Sequence, residues 1–463
     1  MTLLFRHHVV SSDFEQYFNI AKKLDLGPSE LLSLSLENTL KIGTDDRSGK
    51  PMLQPSVFQK FTQTRPEAGS IFDRLPPESQ EVIKGYQVTP ERVFAAPINR
   101  PKRILFFTNN WNFLDQVSDV FMEQGYEVRF LDYRFVKEAI AQKKKSAGTQ
   151  ILNKAKGWKP SGFTPAQLAD QNPMVAELFE WCDVVFCEWL NDAATYLSLY
   201  APQDKKVVLR LHSYEAFVAH PYLANLQRFD GIVFIADHIR EVFKAVLGDE
   251  LMPNCPNTVI ANLRNLPALH PAQRTSSALK TLGMTQYASE NKDPMFALDI
   301  LDELRKSDPD WRIRFVGTPW APNASDAAYG AEFLARAKAL GDAVIVDGFT
   351  DNIQNWYAQI GFILSTSHRE GSHESLVEGM LTGAVPVLRN WPMVAPYGAP
   401  QTVFPDLPSI NTAKEAATLI LNASNAMDLA AKHAIDYASN AVQNSGSRAQ
   451  IVEFVDQVLA KAE

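Results

Sequence analysis

Two glutamates, Glu370 and Glu378, stand with seven residues between them in the stretch HREGSHESLVEGM. Glu370 follows the apolar run GFILSTS, which predicts a strand, and Glu378 lies in SLVEGMLT, which predicts a helix. The start of that helix would present free backbone N–H groups, which favour phosphate. The pattern fits a site that takes a sugar on Glu370, a diphosphate on the loop and a ribose on Glu378.

A purely structural interpretation of Glu378 competes with this one. Ser375 and Glu378 match a capping box, in which the glutamate only reaches back to the backbone N–H of the cap residue. Considered alone, the two interpretations weigh about the same. Glu370 favours the ligand site, because it lies outside the helix and capping does not explain it.

The elements that would position these residues alternate along most of the chain. RILFFTNN, DVVFCEW, KVVLRLH and GIVFIA predict one set of strands, and LKTLGMT, RIRFVG, AVIVDGF and GFILSTS predict a second set, with helices between them. Two such sets predict an α/β protein with two doubly wound parallel sheets facing a cleft. We expect Rossmann-like domains over residues 99–265 and 266–445 and a C-terminal helix over 446–463.

Residues 1–98 differ from this pattern. DFEQYFNIAKKLD, over residues 13–25, and PSELLSLSLENTLKIG, over 28–43, have apolar residues at helical spacing and are followed by Pro-rich connectors. We therefore expect an N-terminal helical extension.

Polar side chains also follow strands of the first predicted domain, where open α/β sheets bind ligands. Asn109, Asn110 and Trp111 follow the first strand, Glu188 follows another, and His212 ends a third. Aromatic residues near a sheet are more often core than sugar platforms. We expect Asn109, Asn110, Trp111 and Glu188 to bind a ligand on the first domain's side of the cleft.

The stretch REGSHESLVEGMLTGAVPV resembles the donor-binding signature of retaining GT-B glycosyltransferases, especially glycosyltransferase family 4, which has two glutamates separated by seven residues. KDPMFALDILDELRKSDPDWRIRFVG resembles the family's lysine-containing donor segment, VVLRLHSYEAF its strand-end histidine, and TVIANLRN its interdomain segment. The resemblance covers roughly residues 100–460 and implies the GT-B fold.

The resemblance also implies roles for individual residues. Glu370 and His212 would act at the reacting sugar, and the polar residues of the first domain, Asn109, Asn110, Trp111 and Glu188, would lie on the acceptor side of the cleft. Donor binding would involve Lys292, Glu378 and the loop and helix start formed by Gly371, Ser372, His373, Glu374, Ser375 and Leu376. The segment TQYASENK lacks the arginine that the family carries before its lysine, so Arg264 or Arg369 would replace it, or phosphate binding would be weaker.

The implied activity is retaining transfer of a sugar from a nucleotide-diphosphate sugar, of UDP or GDP type, to a hydroxyl of a glycan, glycolipid or other acceptor. No metal or other cofactor is expected. Two rivals stay open: a sugar-nucleotide 2-epimerase of the same fold, which needs no acceptor, and a non-catalytic binding or scaffold protein. The sugar, the base, the acceptor and the oligomeric state stay open as well.

Bulk properties exclude several other classes. The chain has 463 residues, of which 46% are hydrophobic and 21% charged, as in a globular protein of about two or three domains. A net charge of −8 argues against a basic nucleic-acid binder. Three cysteines, no signal-like start and no apolar run of membrane-spanning length predict a cytoplasmic protein. The basic run 137–159 is either a solvated insertion or a peripheral contact with the inner membrane face.

Overall fold

The computed structural model describes residues 100–133, 173–217, 220–264, 269–321, 326–443 and 446–460, together with short stretches between residues 42 and 90. In those stretches Ile42–Thr44 (β1) pairs antiparallel with Pro51–Leu53 (β2), and Phe72–Arg74 forms a 3-10 turn. The prediction of a helix over 28–43 is therefore wrong at Ile42 and Gly43, which lie in β1. Ile42 and Thr44 are β-branched, and β-branched residues favour an extended backbone. The helix predicted over 13–25 and the basic run 137–159 lie outside the described residues.

The first large sheet is entirely parallel. Its strands are Arg103–Thr108 (β3), Glu127–Asp132 (β4), Val184–Glu188 (β5), Lys206–Leu211 (β6), Gly231–Phe234 (β7) and Asn257–Val259 (β8). They lie in the order β4-β3-β5-β6-β7-β8. All residues of β5 and β7 are buried, as expected when helices cover both faces of a parallel sheet. The order reverses between β3 and β5, which is where a ligand crevice opens in such sheets.

Helices connect these strands. They are Leu114–Glu123 (α1), Pro173–Trp181 (α2), Asp192–Tyr200 (α3), His220–Leu223 (α4) and Asp237–Leu247 (α5). The core on one face of the sheet contains Phe107, Phe179, Leu197 and Phe243, and on the other Phe106, Phe121 and Phe186.

The second large sheet is also parallel. Its strands are Thr281–Thr285 (β9), Arg312–Val316 (β10), Val344–Gly348 (β11), Phe362–Ser365 (β12), Val385–Arg389 (β13) and Ser409–Ile410 (β14). They lie in the order β11-β10-β9-β12-β13-β14, so this sheet reverses between β9 and β12.

The helices of the second domain follow the same alternation. They are Ser276–Leu279 (α6), Pro294–Arg305 (α7), Ala327–Ala339 (α8), Ile353–Tyr357 (α9), Glu374–Leu381 (α10), Ala413–Ser424 (α11) and Met427–Gln443 (α12). The sequence analysis did not predict α12, although its five alanines favour a helix. This helix packs against α10.

The last described helix, Ser447–Ala460 (α13), returns to the first domain. Its Ile451, Phe454, Val455 and Val458 are buried in the core against β3, β5 and β7. A Cβ on Gly231 would lie 2.9 Å from side-chain atoms of both Phe454 and Val458, so the glycine permits this close approach. The fold-class prediction of two doubly wound parallel-sheet domains is confirmed. None of the helices in the described ranges is long and apolar enough to cross a membrane.

Candidate functional site

The point of reversal in the second sheet brings together the two charges that the sequence placed after separate strands. Lys292 follows β9 and Glu370 follows β12, and the ammonium nitrogen of Lys292 lies 2.5 Å from Oε1 of Glu370. Ser367 donates from its hydroxyl to the same oxygen at 2.5 Å. Burial alone raises the pKa of Glu370, but the attraction of Lys292 and the hydrogen bonds outweigh it and lower the pKa to about 2. The carboxylate is therefore ionised at neutral pH.

Hydrogen bonds between the two loops hold this pair. Thr366 donates from its hydroxyl to the carbonyl of Lys292 at 2.8 Å, and the side-chain amide of Asn291 donates to the carbonyl of Arg369 at 3.2 Å. Asp293, with φ of 50°, caps α7 and accepts from Arg389 at 2.6 Å. Sequence reasoning missed Asp293 and Arg389, because nothing in their spacing shows that β13 brings them together.

Helix α10 begins beside this pair without a side-chain cap. Its first residue is Glu374, and the preceding His373 makes no capping hydrogen bond. The N–H of Leu376 bonds to the carbonyl of His373 at 3.0 Å, and the Leu376 side chain is buried in the core. Within the described residues, the N–H groups of Glu374 and Ser375 donate to no protein acceptor. Such N–H groups at a helix start are suited to an anion.

The capping-box interpretation of Glu378 is wrong. Its Oε2 accepts a hydrogen bond from the Tyr357 hydroxyl at 2.8 Å, and it does not reach back to the start of α10. Burial raises the pKa of Glu378 above the ordinary value of 4.5, the nearby Glu374 raises it further, and the bond from Tyr357 lowers it. Glu378 is thus a partly buried carboxylate on the side of α10 that faces Tyr357.

His373 occupies a strained position between these groups. Its φ of 42° is left-handed, which for a residue with a Cβ costs about 1–2 kcal/mol. The imidazole is buried, its Nε2 lies 3.8 Å from Oε1 of Glu370, and its Nδ1 has no hydrogen-bond partner among the described residues. Burial lowers the pKa of His373 to about 4, so the ring is neutral at pH 7.

The β12–α10 loop, residues 366–373, packs directly on the first domain. A Cβ on Gly371 would lie 2.7 Å from Ile235 and 3.0 Å from the Cβ of Ser213, so only glycine fits without displacement. His238 of α5 donates from Nε2 to the carbonyl of Glu370 at 2.8 Å, and its Nδ1 lies 3.0 Å from the Thr402 hydroxyl. Burial lowers the pKa of His238 to about 4, so this contact needs no charge.

His212 stands at the end of β6 in a well-defined setting. Its Nε2 lies 2.5 Å from Oε1 of Glu188, which also accepts from Arg210 at 2.8 Å. The Trp189 ring stacks on the imidazole with centroids 3.7 Å apart, and Phe113 lies at 5.5 Å. The bond from Glu188 orients His212. Because Glu188 is completely buried, it exposes no surface to an acceptor.

The remaining residues assigned to the acceptor side lie after β3. The side-chain oxygen of Asn109 accepts from Asn191 at 2.6 Å, and that of Asn110 accepts from the backbone of Asn112 at 3.1 Å. Trp111 donates from its indole N–H to Asp132 at 3.0 Å and keeps 36% of its surface exposed. Of these, Trp111 offers the largest free surface to a ligand.

The two arginines considered as replacement cations have different surroundings. Arg264 donates from Nε to Glu374 at 2.5 Å, so it stands at the start of α10 in an ion pair. The Arg369 guanidinium lies over the Phe217 ring at 4.5 Å. In the described part of the chain, no three His, Cys, Asp or Glu side chains are grouped to hold a metal.

Comparison with solved structures identifies the fold, whereas comparison of sequences finds no match. No family model matches the chain, and no curated protein matches it. The structure of HepE from Anabaena, in complex with UDP and glucose, is similar with a TM-score of 0.51 at 15% identity, over 77% of this chain and 100% of that one. Sucrose-phosphate synthase from Thermosynechococcus elongatus is similar with a TM-score of 0.52 at 14% identity, over 78% and 100%.

A third similar structure, TarM from S. aureus, is a longer protein. It is 16% identical with a TM-score of 0.45, over 60% of this chain, and this chain spans 55% of its length. The similarities to HepE and to sucrose-phosphate synthase, which each extend over the whole of that chain, agree with the two parallel sheets described above. The chain therefore has the GT-B fold.

Proposed function

We propose that this chain is a glycosyltransferase that moves a sugar from a nucleotide-diphosphate sugar to an acceptor hydroxyl. The observation that carries the proposal is the Lys292–Glu370 pair at the point of strand reversal, directly beside the uncapped start of α10. A cation, free N–H groups and an ionised carboxylate in one place suit a diphosphate joined to a sugar. The similarity to HepE, whose structure contains UDP and glucose, supports the same ligand class.

The proposed roles follow from position. The N–H groups of Glu374 and Ser375 and the ammonium of Lys292 would receive the diphosphate. Glu370, ionised at neutral pH, would accept hydrogen bonds from sugar hydroxyls, and Glu378 would accept them from the ribose. His212, oriented by Glu188 and stacked on Trp189, would lie near the sugar and the acceptor.

The chemistry required of these groups is mainly electrostatic. Cleavage of the bond between sugar and phosphate leaves negative charge on the diphosphate, which oriented N–H dipoles and Lys292 stabilise more in the transition state than in the ground state. We propose attack on the same face, with retention, in which the leaving phosphate oxygen accepts the proton of the acceptor hydroxyl. Because Lys292 and the N–H groups supply the positive charge, we expect turnover to persist in EDTA.

The first test is thermal stabilisation by UDP, GDP, ADP and TDP in EDTA. One diphosphate at 100 times its Kd should stabilise the protein by about 2.7 kcal/mol, and Glu378→Ala should weaken this effect. Glu415→Ala is the matched control, because Glu415 closes a true capping box with Thr412 on α11. That variant should lower Tm without changing the response to nucleotide. Absence of stabilisation by every nucleotide would refute the donor site.

The second test separates transfer from the rivals. NMR of the nucleotide sugar selected by the first test should show release of the nucleoside diphosphate that depends on an acceptor. Conversion of the nucleotide sugar to its epimer without acceptor would instead identify a 2-epimerase. Binding without any consumption of donor, across many acceptors, would identify a non-catalytic protein.

A further inference from the structure

A chain of buried hydrogen bonds leads away from His212. Nε2 of His212 and the guanidinium of Arg210 share Oε1 of Glu188, at 2.5 and 2.8 Å. The other end of the same guanidinium donates to Oδ1 of Asn262 at 2.6 Å. These four residues are between 0% and 3% exposed, so water does not replace any of these hydrogen bonds.

Asn262 continues this chain into the second domain. Its side-chain NH2 donates to the Ser372 hydroxyl at 3.1 Å and to Oε1 of Glu374 at 3.2 Å. Glu374 also accepts from Arg264 and is the first residue of α10. The arrangement is directional, because a guanidinium only donates and a carboxylate only accepts, so the amide oxygen must face Arg210 and the NH2 must face the loop.

Burial makes these bonds interdependent. A buried donor or acceptor that loses its partner cannot turn to water, so a change in one member alters the bonds of the next. In the described residues, Asn262 is the side chain that bonds both to Arg210 and to the start of α10. A charge change at Glu374 thus has a continuous route to the His212 ring.

We propose that Asn262 is a positioning residue that couples the start of α10 to His212, so that the charge at Glu374 sets the hydrogen bonding of the His212 ring. The consequence for catalysis rests on the proposed function: arrival of the diphosphate at α10 would adjust the histidine on the opposite side of the cleft. The coupling itself is a property of the protein without ligand.

The test is a double-mutant cycle read at His212 in the full-length protein labelled with 15N-histidine. The Nδ1 and Nε2 resonances, assigned with His212→Gln, are compared in the wild type, Glu374→Gln, Asn262→Ala and the double variant at one pH. We expect Glu374→Gln to displace the His212 resonances in the wild-type background, and most of that displacement to disappear in the Asn262→Ala background. The exposed His433 on α12 is the bystander, and its resonances should not move.

Either of two results would overturn the proposal. Equal displacement in both backgrounds would mean that the effect acts through space, and no displacement in the wild-type background would mean that the bonds do not transmit it. Asn262→Leu is the second variant, since it keeps a side chain of similar size but bonds neither to Arg210 nor to Ser372 and Glu374. Like Asn262→Ala, it should abolish the response of the His212 resonances to Glu374→Gln.

A final arm adds saturating UDP, GDP, ADP or TDP. A nucleotide that stabilises the protein should displace the His212 resonances in the wild type and not in Asn262→Ala. If none of UDP, GDP, ADP and TDP binds, the donor-site proposal fails, whereas the double-mutant cycle still decides the role of Asn262.

Discussion

In each sheet a helix begins after one of the strands that flank the reversal of strand order, α3 after β5 and α10 after β12, but the two helix starts differ. After β5, helix α3 is capped by Asn191, whose side-chain oxygen accepts from the N–H of Ala193 at 2.9 Å. After β12, helix α10 has no side-chain cap. A helix start without a side-chain cap is not in itself an anion site, because water can satisfy its N–H groups, and α1 and α5 of the first domain also lack such a cap. The start of α10 is favoured because the Lys292–Glu370 pair beside it supplies a cation.

The ion pairs near the two helix starts, Glu188–Arg210 and Lys292–Glu370, differ in how far they are buried. Glu188 and Arg210 have no exposed surface, and besides each other they bond to His212 and Asn262. Lys292 and Glu370 keep 16% and 13% of their side-chain surface exposed. The buried Glu188–Arg210 pair therefore keeps fixed partners, and the partly exposed Lys292–Glu370 pair can exchange partners with a ligand.

The largest expected effect lies in the buried pair. Arg210→Met leaves the Glu188 carboxylate buried beside an apolar side chain, and we expect a loss of about 3–5 kcal/mol in the free energy of unfolding. Urea unfolding followed by tryptophan fluorescence measures it. Glu188→Gln combined with Arg210→Met removes both charges and should lose less than the single variant. If the double variant is as unstable as the single one, unpaired charge is not the cause.

The next largest effect concerns the exchangeable pair. Lys292→Met should weaken binding of the nucleoside diphosphate by about ten- to a hundredfold, because a hydrogen bond to a charged group is worth about 1.5–3 kcal/mol. Isothermal titration calorimetry measures it. Lys280→Met is the matched control, since Lys280 precedes β9, keeps 45% of its side-chain surface exposed and pairs with Asp308. Equal affinity in the Lys292 variant and the wild type would contradict the phosphate role.

A smaller effect is expected in the pH dependence of nucleotide binding. Burial raises the pKa of Glu378 above 4.5, and only the ionised form accepts hydrogen bonds from both ribose hydroxyls. Affinity should therefore fall as the pH drops through that pKa.

Tyr357→Phe removes a hydrogen bond that lowers the pKa of Glu378, so the midpoint should move to higher pH. Below neutral pH we expect about two- to tenfold weaker binding than in the wild type. Tyr329→Phe is the control, because that hydroxyl bonds to Asp293 instead. A midpoint that stays in place would remove Glu378 from the ribose site.

The smallest effect tests the capped helix. Asn191→Ala should lower the free energy of unfolding by about 1 kcal/mol, the usual loss on removing an N-cap. Nucleotide affinity should not change, because the cap lies in the first domain. Weaker nucleotide binding in this variant would show that the two helix starts are not separate in function.

The alternation of strands and helices from residue 103 onward was sufficient to predict both sheets and the loops that follow β9 and β12. Because parallel strands end at one edge, it also placed Glu370 where ligands bind, whereas Lys292 came from the resemblance to the family's donor segment. One local motif had two solutions that its own residues did not decide between. Ser375 and Glu378 fit a capping box in sequence, but Tyr357, from α9, binds the glutamate instead.

What the sequence by itself determined is therefore local and periodic: which segments form strands and helices, and which polar residues follow them. Only the tertiary structure decided which partner each polar residue has. Glu188, expected to meet an acceptor, lies buried behind His212, and His238 and Asn262 contact the β12–α10 loop from the other domain. Such contacts depend on how two separately folded sheets dock, and residue types more than a hundred positions apart carry no periodic signal of that docking.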